Sequence, residues 1–416
     1  MSVPLSFLEA RRERALAEVG RDVCFAVHSG GSVPAPGRLD QKLGWQVHPT
    51  FFWLTGEDVK DSVIVFDPAE GWIEFFREAS ALDFVWDGIR PVGRGRPMSE
   101  FAAWAAGKSI VHTGAPGRPL TEAELEIETA LIRSRRKKDT HELGIMRRAC
   151  AATHAGFSRA KELIKPGMTE KELLVEINYA FQQAGSTRVG YDSILGAGPA
   201  SIVFHGTPSD RPFEHGEQVL IDMGAEIDLY TADVTRTYAV GSFSPRHQAI
   251  YDVLYAAFQR CNAMCRHGVE WHDVHRCAAM GIADGLQQLG ILTCDAETAC
   301  ESGAIALFFP HGIGHLVGLG VRDGTGQAKG RAPGRKCCGI PVRSDFPLEE
   351  GFLTTVEPGV YFIPELLDPA EKRATHAGEI NFGEAEKWYG VGGFRLEDNL
   401  LVTSGEPENL TQTIPF

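Results

Sequence analysis

Four acidic side chains stand inside apolar, β-rich runs of this chain: Asp222 in VLID, Asp233 in ADVTRTYAV, Glu357 in GFLTTVEPGVYF and Glu397 in GGFRLEDNLLVT. A carboxylate in such a run loses its hydration, so it must be neutralised, paired or bound to a cation. One alone has a plain explanation as a turn former or an ion-pair partner. Four of them with the imidazole of His315 form an oxygen-rich ligand set, which suits Mn²⁺ and similar ions better than a thiolate zinc site. That much negative charge exceeds the need of one divalent ion. Two ions held ~3.5–4 Å apart and bridged by carboxylates would satisfy it and clamp a hydroxide nucleophile. The chemistry this predicts is metal-assisted hydrolysis.

The runs VLID and ADVTRTYAV flank a polar centre and read as a hairpin. Asp222 and Asp233 share a midpoint between Ile227 and Asp228, which predicts that they face each other across the ladder. Like charges so placed repel unless a cation lies between them or one is protonated. His311 and His315 lie four residues apart in FFPHGIGHLVGLGVRD, where Gly312, Gly314, Gly318 and Gly320 argue against a helix and for a tight path close to a ligand. Glu357 points from a strand that Pro358 ends, and Arg395 shares the side of a strand with Glu397. A rival group, Cys265, His267, His272, His275 and Cys277, matches no zinc spacing and reads as surface or packing residues. The run GAGPAS lacks the Lys-Ser/Thr ending of a phosphate loop.

A near-repeat supplies the larger frame. KPGMTEKELLVEINYAFQQAG and RHGVEWHDVHRCAAMGIADGLQQLG each place a Gly turn before a cap-like residue, Thr169 or Glu270, and then an apolar period of three to four. Two such halves imply a pseudo-symmetric domain with a site on its seam. Upstream, Val23 to Val111 alternates strand-like runs (FFWLTG, DSVIVFD, GWIEFF, KSIVHTGAPGRP) with helices such as SEFAAWAA, a small α/β domain closed by a turn at GAPGRPLT. A helix from Glu122 to Arg133 runs into Arg133, Arg135, Arg136, Lys137 and Lys138, read as a solvated helix end between domains.

At 416 residues the chain is long enough for two domains. Hydrophobic residues at 43% against 23% charged mark a folded protein. The net charge of -14 argues against a nucleic-acid partner. The amino terminus lacks a secretion signal and reads as an amphipathic helix from Leu8, and no run of ~18 apolar residues suggests a membrane span. Nine cysteines without a CxxC pair suggest reduced thiols and a cytoplasmic location, with adjacent Cys337 and Cys338 as an exposed, oxidisable pair.

The order of these motifs resembles that of the pita-bread metallopeptidases, the family of prolidase, aminopeptidase P, creatinase and methionine aminopeptidase. The likeness covers essentially the whole chain, and the part around HPTFFWLTG is similar to a leading domain that methionine aminopeptidases lack. It implies an α/β plus α+β protein: a creatinase-like α/β domain over residues 1–135 and a pseudo-symmetric pita-bread catalytic domain over 136–416. It further implies that Asp222 chelates one ion, His315 with Glu357 the other, and that Asp233 and Glu397 bridge the two. His205, in VFHGTP, would steady the scissile carbonyl. Glu357 would shuttle the proton, His311 would line the substrate pocket, and Arg395 would orient ligands from behind. Two divalent ions (Mn²⁺, with Zn²⁺ or Co²⁺ as alternatives), small peptide substrates and a homodimer belong to the same expectation.

One departure stands out. Arg322 occupies the place where prolidases and aminopeptidases P carry a second substrate-contacting histidine; being always cationic, it would anchor a substrate carboxylate rather than move protons. Arg343 falls where prolidases place an arginine that grips the free carboxylate of a dipeptide. Arg343, with the long loop between Arg322 and Glu357, favours an Xaa-Pro dipeptidase over the alternative, an aminopeptidase P acting on longer Xaa-Pro peptides. A non-catalytic scaffold of the same fold is the outside alternative, and the presence of all five ligands speaks against it.

Overall fold

A computed structural model describes residues 3–33, 36–37, 44–114 and 119–416. The chain divides into two compact units, Met1–Arg135 and Arg136–Phe416.

The first unit is built on a five-stranded mixed sheet. Phe25–His28 runs antiparallel to Val63–Asp67 and parallel to Val111–Thr113, with Gly71–Phe76 and Arg96–Pro97 completing the other side. The alternate residues Ala26, Val63, Val65, Ile73 and Phe75 form one core face. The run FFWLTG, expected as a strand, is instead part of a helix, Pro49–Thr55. Pro49 sits in the first turn, where a missing N–H costs nothing. Phe51, Phe52, Trp53 and Leu54 are all buried, so the run has no polar face and its periodicity cannot separate helix from strand. The turn expected at GAPGRPLT lies largely outside the described residues.

In the second unit the repeat is visible down to single hydrogen bonds. The Gly167 N–H donates to Phe213 and the Phe213 N–H to Met168; their counterparts are Gly268 to Leu348 and Leu348 to Val269. The repeated helices are Glu170–Gln183 and Trp271–Gln288, packed on Thr140–Leu163 and Pro245–Met264 respectively. Thr169 caps the first with a capping box to Glu172, whereas Glu270 caps the second without a side-chain bond. Each half supplies an antiparallel sheet: Ile194–Ala197, Gln218–Asp222 and Thr235–Ala239 in one, Leu353–Val356 and Asp398–Leu401 in the other. The Glu397 N–H donates to the Thr235 carbonyl (2.9 Å) and joins the two sheets.

The hairpin of the first half corrects one expectation. Its turn is Asp228–Leu229, with φ of 49° and 70°, so Ile227 pairs with Tyr230 and Asp222 with Thr235. Two positive φ values define a type I′ turn, usually announced by Asn-Gly rather than Asp-Leu. Asp233 is therefore not opposite Asp222 but diagonal to it, on the same face. The basic run is the second correction. Arg136 is buried, donates to the carbonyls of Gly324 and Gln327 (both 2.8 Å) and lies 4.3 Å over the Phe346 ring. Lys138 and Asp323 form a fully buried pair at 2.7 Å, and Asp323 also accepts the Leu319 N–H at 2.9 Å. These cations clamp the end of the glycine-rich segment instead of facing water, because their partners are remote in sequence. Among the described residues no helix is long and apolar enough to cross a membrane.

Candidate metal centre

The acidic residues sit where strands break. Glu357 lies between Leu353–Val356 and Gly359–Tyr361, and Glu397 between Gly393–Arg395 and Asp398–Leu401. Both pairs of strands keep one register, from Val356 with Asp398 to Gly359 with Arg395. That register sets Glu357 opposite Glu397, with Pro358, which lacks an N–H, at the interruption. Directly opposed like charges destabilise a ladder, so this arrangement calls for a cation.

His315 reaches the same place by a close backbone approach. Residues 313–317 are extended, not helical, and run along Leu353–Val356. A Cβ on Gly314 would stand 2.5 Å from the Thr355 carbonyl oxygen, so only glycine permits this path. The Thr355 N–H donates to the His315 carbonyl (2.8 Å), and the His315 N–H to Thr355 Oγ1 (3.0 Å). His315 Nδ1 donates to the Leu316 carbonyl (3.0 Å), which turns Nε2 toward the acidic cluster, 3.3 Å from Asp233 Oδ2. This is the tautomer a metal ligand needs.

Ligand atoms of Asp233, His315 and Glu397, all buried, lie within 4.8 Å of one another. Thr235 Oγ1 donates to Glu397 (2.8 Å), while Asn399 bonds both the N–H and the carbonyl of Asp233. Asp222 flanks the group and accepts from Arg395 Nη2 (2.5 Å) and the Tyr191 hydroxyl (2.8 Å). A relay continues outward: Arg395 Nη1 donates to the Tyr361 hydroxyl (2.9 Å), which donates to His311 Nε2 (3.0 Å), while His311 Nδ1 donates to the Gly312 carbonyl (2.9 Å).

The electrostatics fit a divalent cation. Burial pushes Glu397 up, reinforced by the charges of Asp233, Glu357 and Asp222. Burial likewise raises Asp222, against the pull of Arg395, and raises Glu357 to about 7 although 21% of its side chain stays exposed. Burial opposes the charged form of His315, yet the Asp233 carboxylate holds its pKa above the ordinary value. His311 is lowered to about 3 by burial, then by the nearby Arg395, so it is neutral at physiological pH. A divalent ion between the carboxylates would replace their lost hydration and relieve their repulsion.

A pH test follows. A carboxyl raised from 4.5 to about 7 contributes stability that is present below pH 4.5 and lost as pH rises through 7. In metal-free protein, the stability of the wild type relative to Glu357→Gln should therefore fall by on the order of 3 kcal/mol between pH 4.5 and 8. Denaturant titrations across that range measure it; a pH-independent difference would refute the assignment.

The other expected site residues lie further out. His205 is exposed; its neighbour Phe204 packs edge-on against Tyr361 and His311, with centroids 4.8 and 5.6 Å away. Arg322 is exposed and follows Val321, whose φ is 24°. Arg343 is also exposed, yet its charge reaches His311 and lowers its pKa. The rival group does not converge: His275 is buried and stacked on Phe309 at 5.1 Å, while His267 accepts the Glu350 N–H. Four residues of the site were absent from the sequence reading. Thr235 and Tyr361 follow Asp233 and Glu357 by two and four positions, so period-two alternation could have flagged them. Asn399 likewise follows Glu397 by two positions, whereas nothing local marks Tyr191.

A profile of metallopeptidase family M24 matches residues 144–404. The chain belongs to metallopeptidase family M24. This M24 chain is 32% identical over 402 residues to the "Probable Xaa-Pro aminopeptidase pepP" of Botryotinia fuckeliana, covering 90% of this chain and 86% of that protein. A protein of the same name from Sclerotinia sclerotiorum is 31% identical over 402 residues, covering 90% and 72%. Among solved structures, Pseudomonas aeruginosa aminopeptidase PepP superposes with a TM-score of 0.80 at 25% identity, covering 100% of this chain and 96% of that one. The mixed α/β architecture of this M24 protein is thus the pita-bread fold expected from the motif order.

Proposed function

We propose that this M24 metallopeptidase is an Xaa-Pro aminopeptidase that releases the amino-terminal residue from peptides with proline in the second position. The observation that carries the reading is its likeness over 90% of its length to a protein named an Xaa-Pro aminopeptidase, joined to a converged set of metal-ligand side chains. The dipeptidase reading favoured by Arg343 has less support, because the similar proteins carry the aminopeptidase name.

In this reading residues 136–416 form the catalytic domain and residues 1–135 a creatinase-like leading domain. Asp222 would hold one divalent ion and His315 with Glu357 the other, with Asp233 and Glu397 shared between them. The oxygen-rich donor set favours Mn²⁺. Bound ions supply Lewis acidity and make water a nucleophile near neutral pH. Glu357 accepts the proton of the attacking water and passes it to the leaving amine. His205 donates to the scissile carbonyl oxygen as it gains charge. His311, held neutral in the relay from Arg395, lines the pocket, and Arg395 orients Asp222. Arg322 and Arg343, exposed and cationic, bind carboxylates of the substrate. The homodimer and the cytoplasmic setting rest on family likeness and on nine free cysteines.

The test compares Ala-Pro with Ala-Pro-Ala, using chelator-treated protein with and without restored Mn²⁺. Metal-dependent release of Ala from the tripeptide, at least as fast as from the dipeptide, is the expected result. Turnover of the dipeptide alone would return the assignment to prolidase. No turnover of either, with metal bound, would favour the scaffold.

A further inference from the structure

The stretch from Arg322 to Leu348 reverses the sign of a chain whose net charge is -14. In it Arg322, Lys329, Arg331, Arg335, Lys336 and Arg343 stand against two acids, Asp323 and Asp345. Both acids are buried and paired: Asp323 with Lys138 at 2.7 Å, Asp345 with Arg331 at 2.9 Å and Arg335 at 3.2 Å. Glu270, at the start of the helix Trp271–Gln288, is bound through both oxygens by Arg331 at 2.8 Å each. Among the described residues of the stretch, every exposed charge is therefore positive: Arg322, Lys329, Arg335, Lys336 and Arg343.

These cations sit on a folded ledge. Lys336–Cys337 pairs with Ile340–Pro341, and the Val342 N–H donates to the Arg335 carbonyl (2.9 Å). The Ala328 N–H donates to the Asp345 carbonyl (2.8 Å) and the Asp345 N–H to the Gly326 carbonyl (3.1 Å), which lays residues 326–328 beside residues 343–345. Cys337, expected at the surface beside Cys338, is buried and turns its sulfur inward, 3.6 Å from the His272 carbonyl. That contact seats the hairpin on the helix Trp271–Gln288. From this helix His275 stacks on Phe309 (5.1 Å), and Phe309 packs edge-on against His311 (5.0 Å). The ledge thus backs onto the side of the site that holds His311, and the charge of Arg343 is felt by that ring.

We propose, resting on the aminopeptidase reading, that the ledge selects peptides with acidic side chains beyond the proline. With the first peptide bond at the carboxylate cluster, the rest of the peptide leaves toward solvent past His311 and along the ledge. Aspartate and glutamate side chains there meet exposed cations, and lysine side chains are repelled. An exposed ion pair contributes little by itself, but several like charges on one face build a field that speeds the encounter with an oppositely charged ligand. That field reaches about 10 Å at 0.1 M salt, so the preference fades as ionic strength rises. The selection is distinct from a grip on the terminal carboxylate by Arg343, because side-chain charge acts even when that terminus is an amide.

The test uses the full chain with Mn²⁺ and three carboxyl-amidated peptides: Ala-Pro-Ala-Ala-Ala, Ala-Pro-Asp-Glu-Ala and Ala-Pro-Lys-Lys-Ala. At low salt, kcat/KM for the acidic peptide should exceed that for the neutral one by on the order of tenfold, with the lysine peptide lowest. The three should converge by about 0.5 M salt. The double variant Lys329→Gln, Lys336→Gln should lose most of the acidic advantage and keep wild-type turnover of the neutral peptide. Equal kcat/KM at low salt, or an advantage that both salt and the double variant leave intact, would overturn the proposal. If no peptide is cleaved, fluorescence anisotropy of the same peptides, labelled at the carboxyl end, decides the ledge by itself. A salt-sensitive preference for the acidic peptide would sustain it while the aminopeptidase reading falls, and equal binding would remove both.

Discussion

Glu397→Gln should abolish metal-dependent peptide hydrolysis while leaving the protein folded. Glu397 stands opposite Glu357 in the ladder register and within 4.8 Å of the ligand atoms of Asp233 and His315. An amide keeps the shape and can still accept from Thr235 Oγ1, but it supplies no negative charge to the proposed bridging position. Loss of a correctly held ion forfeits several kcal/mol of transition-state stabilisation, roughly a thousandfold or more in rate. The same change relieves repulsion in the metal-free site, because the burial that raises Glu397 acts on a charge the variant lacks. The metal-free variant should therefore melt no lower than metal-free wild type, while calorimetric titration with Mn²⁺ shows weaker or missing binding. Activity within tenfold of wild type at saturating Mn²⁺ would remove Glu397 from the centre.

Arg395→Met should cause the largest loss of stability of any single change around the site. Arg395 is 4% exposed and donates to Asp222, Tyr361 and Thr235 at once. Methionine fills much of the volume but strands a buried Asp222 carboxylate, and breaking a buried pair from one side costs about 3–5 kcal/mol. In metal-free protein this corresponds to a fall in melting temperature on the order of 10 °C. Asp222→Asn added to Arg395→Met should recover part of the loss, since the uncompensated charge is then gone. Additive losses in the double variant would mean that Arg395 acts through packing rather than through Asp222. The relay through Tyr361 to His311 would open as well, so the His311 ring should lose its fixed orientation.

Residue chemistry and its setting made much of this site legible. Asp222, Asp233, Glu357 and Glu397 are conspicuous because acids are costly in apolar runs, and the glycines around His315 exclude a helix. The repeated helices announced themselves through Thr169, Glu270 and their apolar periods, and the hydrogen bonds of Gly167 and Gly268 reproduce one another. Local pattern failed where two structures share it. In FFWLTG the four residues Phe51 to Leu54 are all apolar and buried, giving a helix that its periodicity could not distinguish from a strand.

The sequence by itself determined which residue types are available and roughly where strands and helices run, because those depend on neighbours a few positions away. Only the tertiary structure decided which of them meet. The Asp228–Leu229 turn shifted the ladder and set Asp233 diagonal to Asp222, while Glu357 and Glu397 became the opposed pair. Arg136 and Lys138 became internal clamps because Gly324, Gln327 and Asp323 fold back onto them. Tyr191 and Asn399 joined the site through contacts with residues far away in the chain. The physical reason is common to all: a buried charge or polar group is stable only with a partner, and the three-dimensional path of the backbone selects that partner.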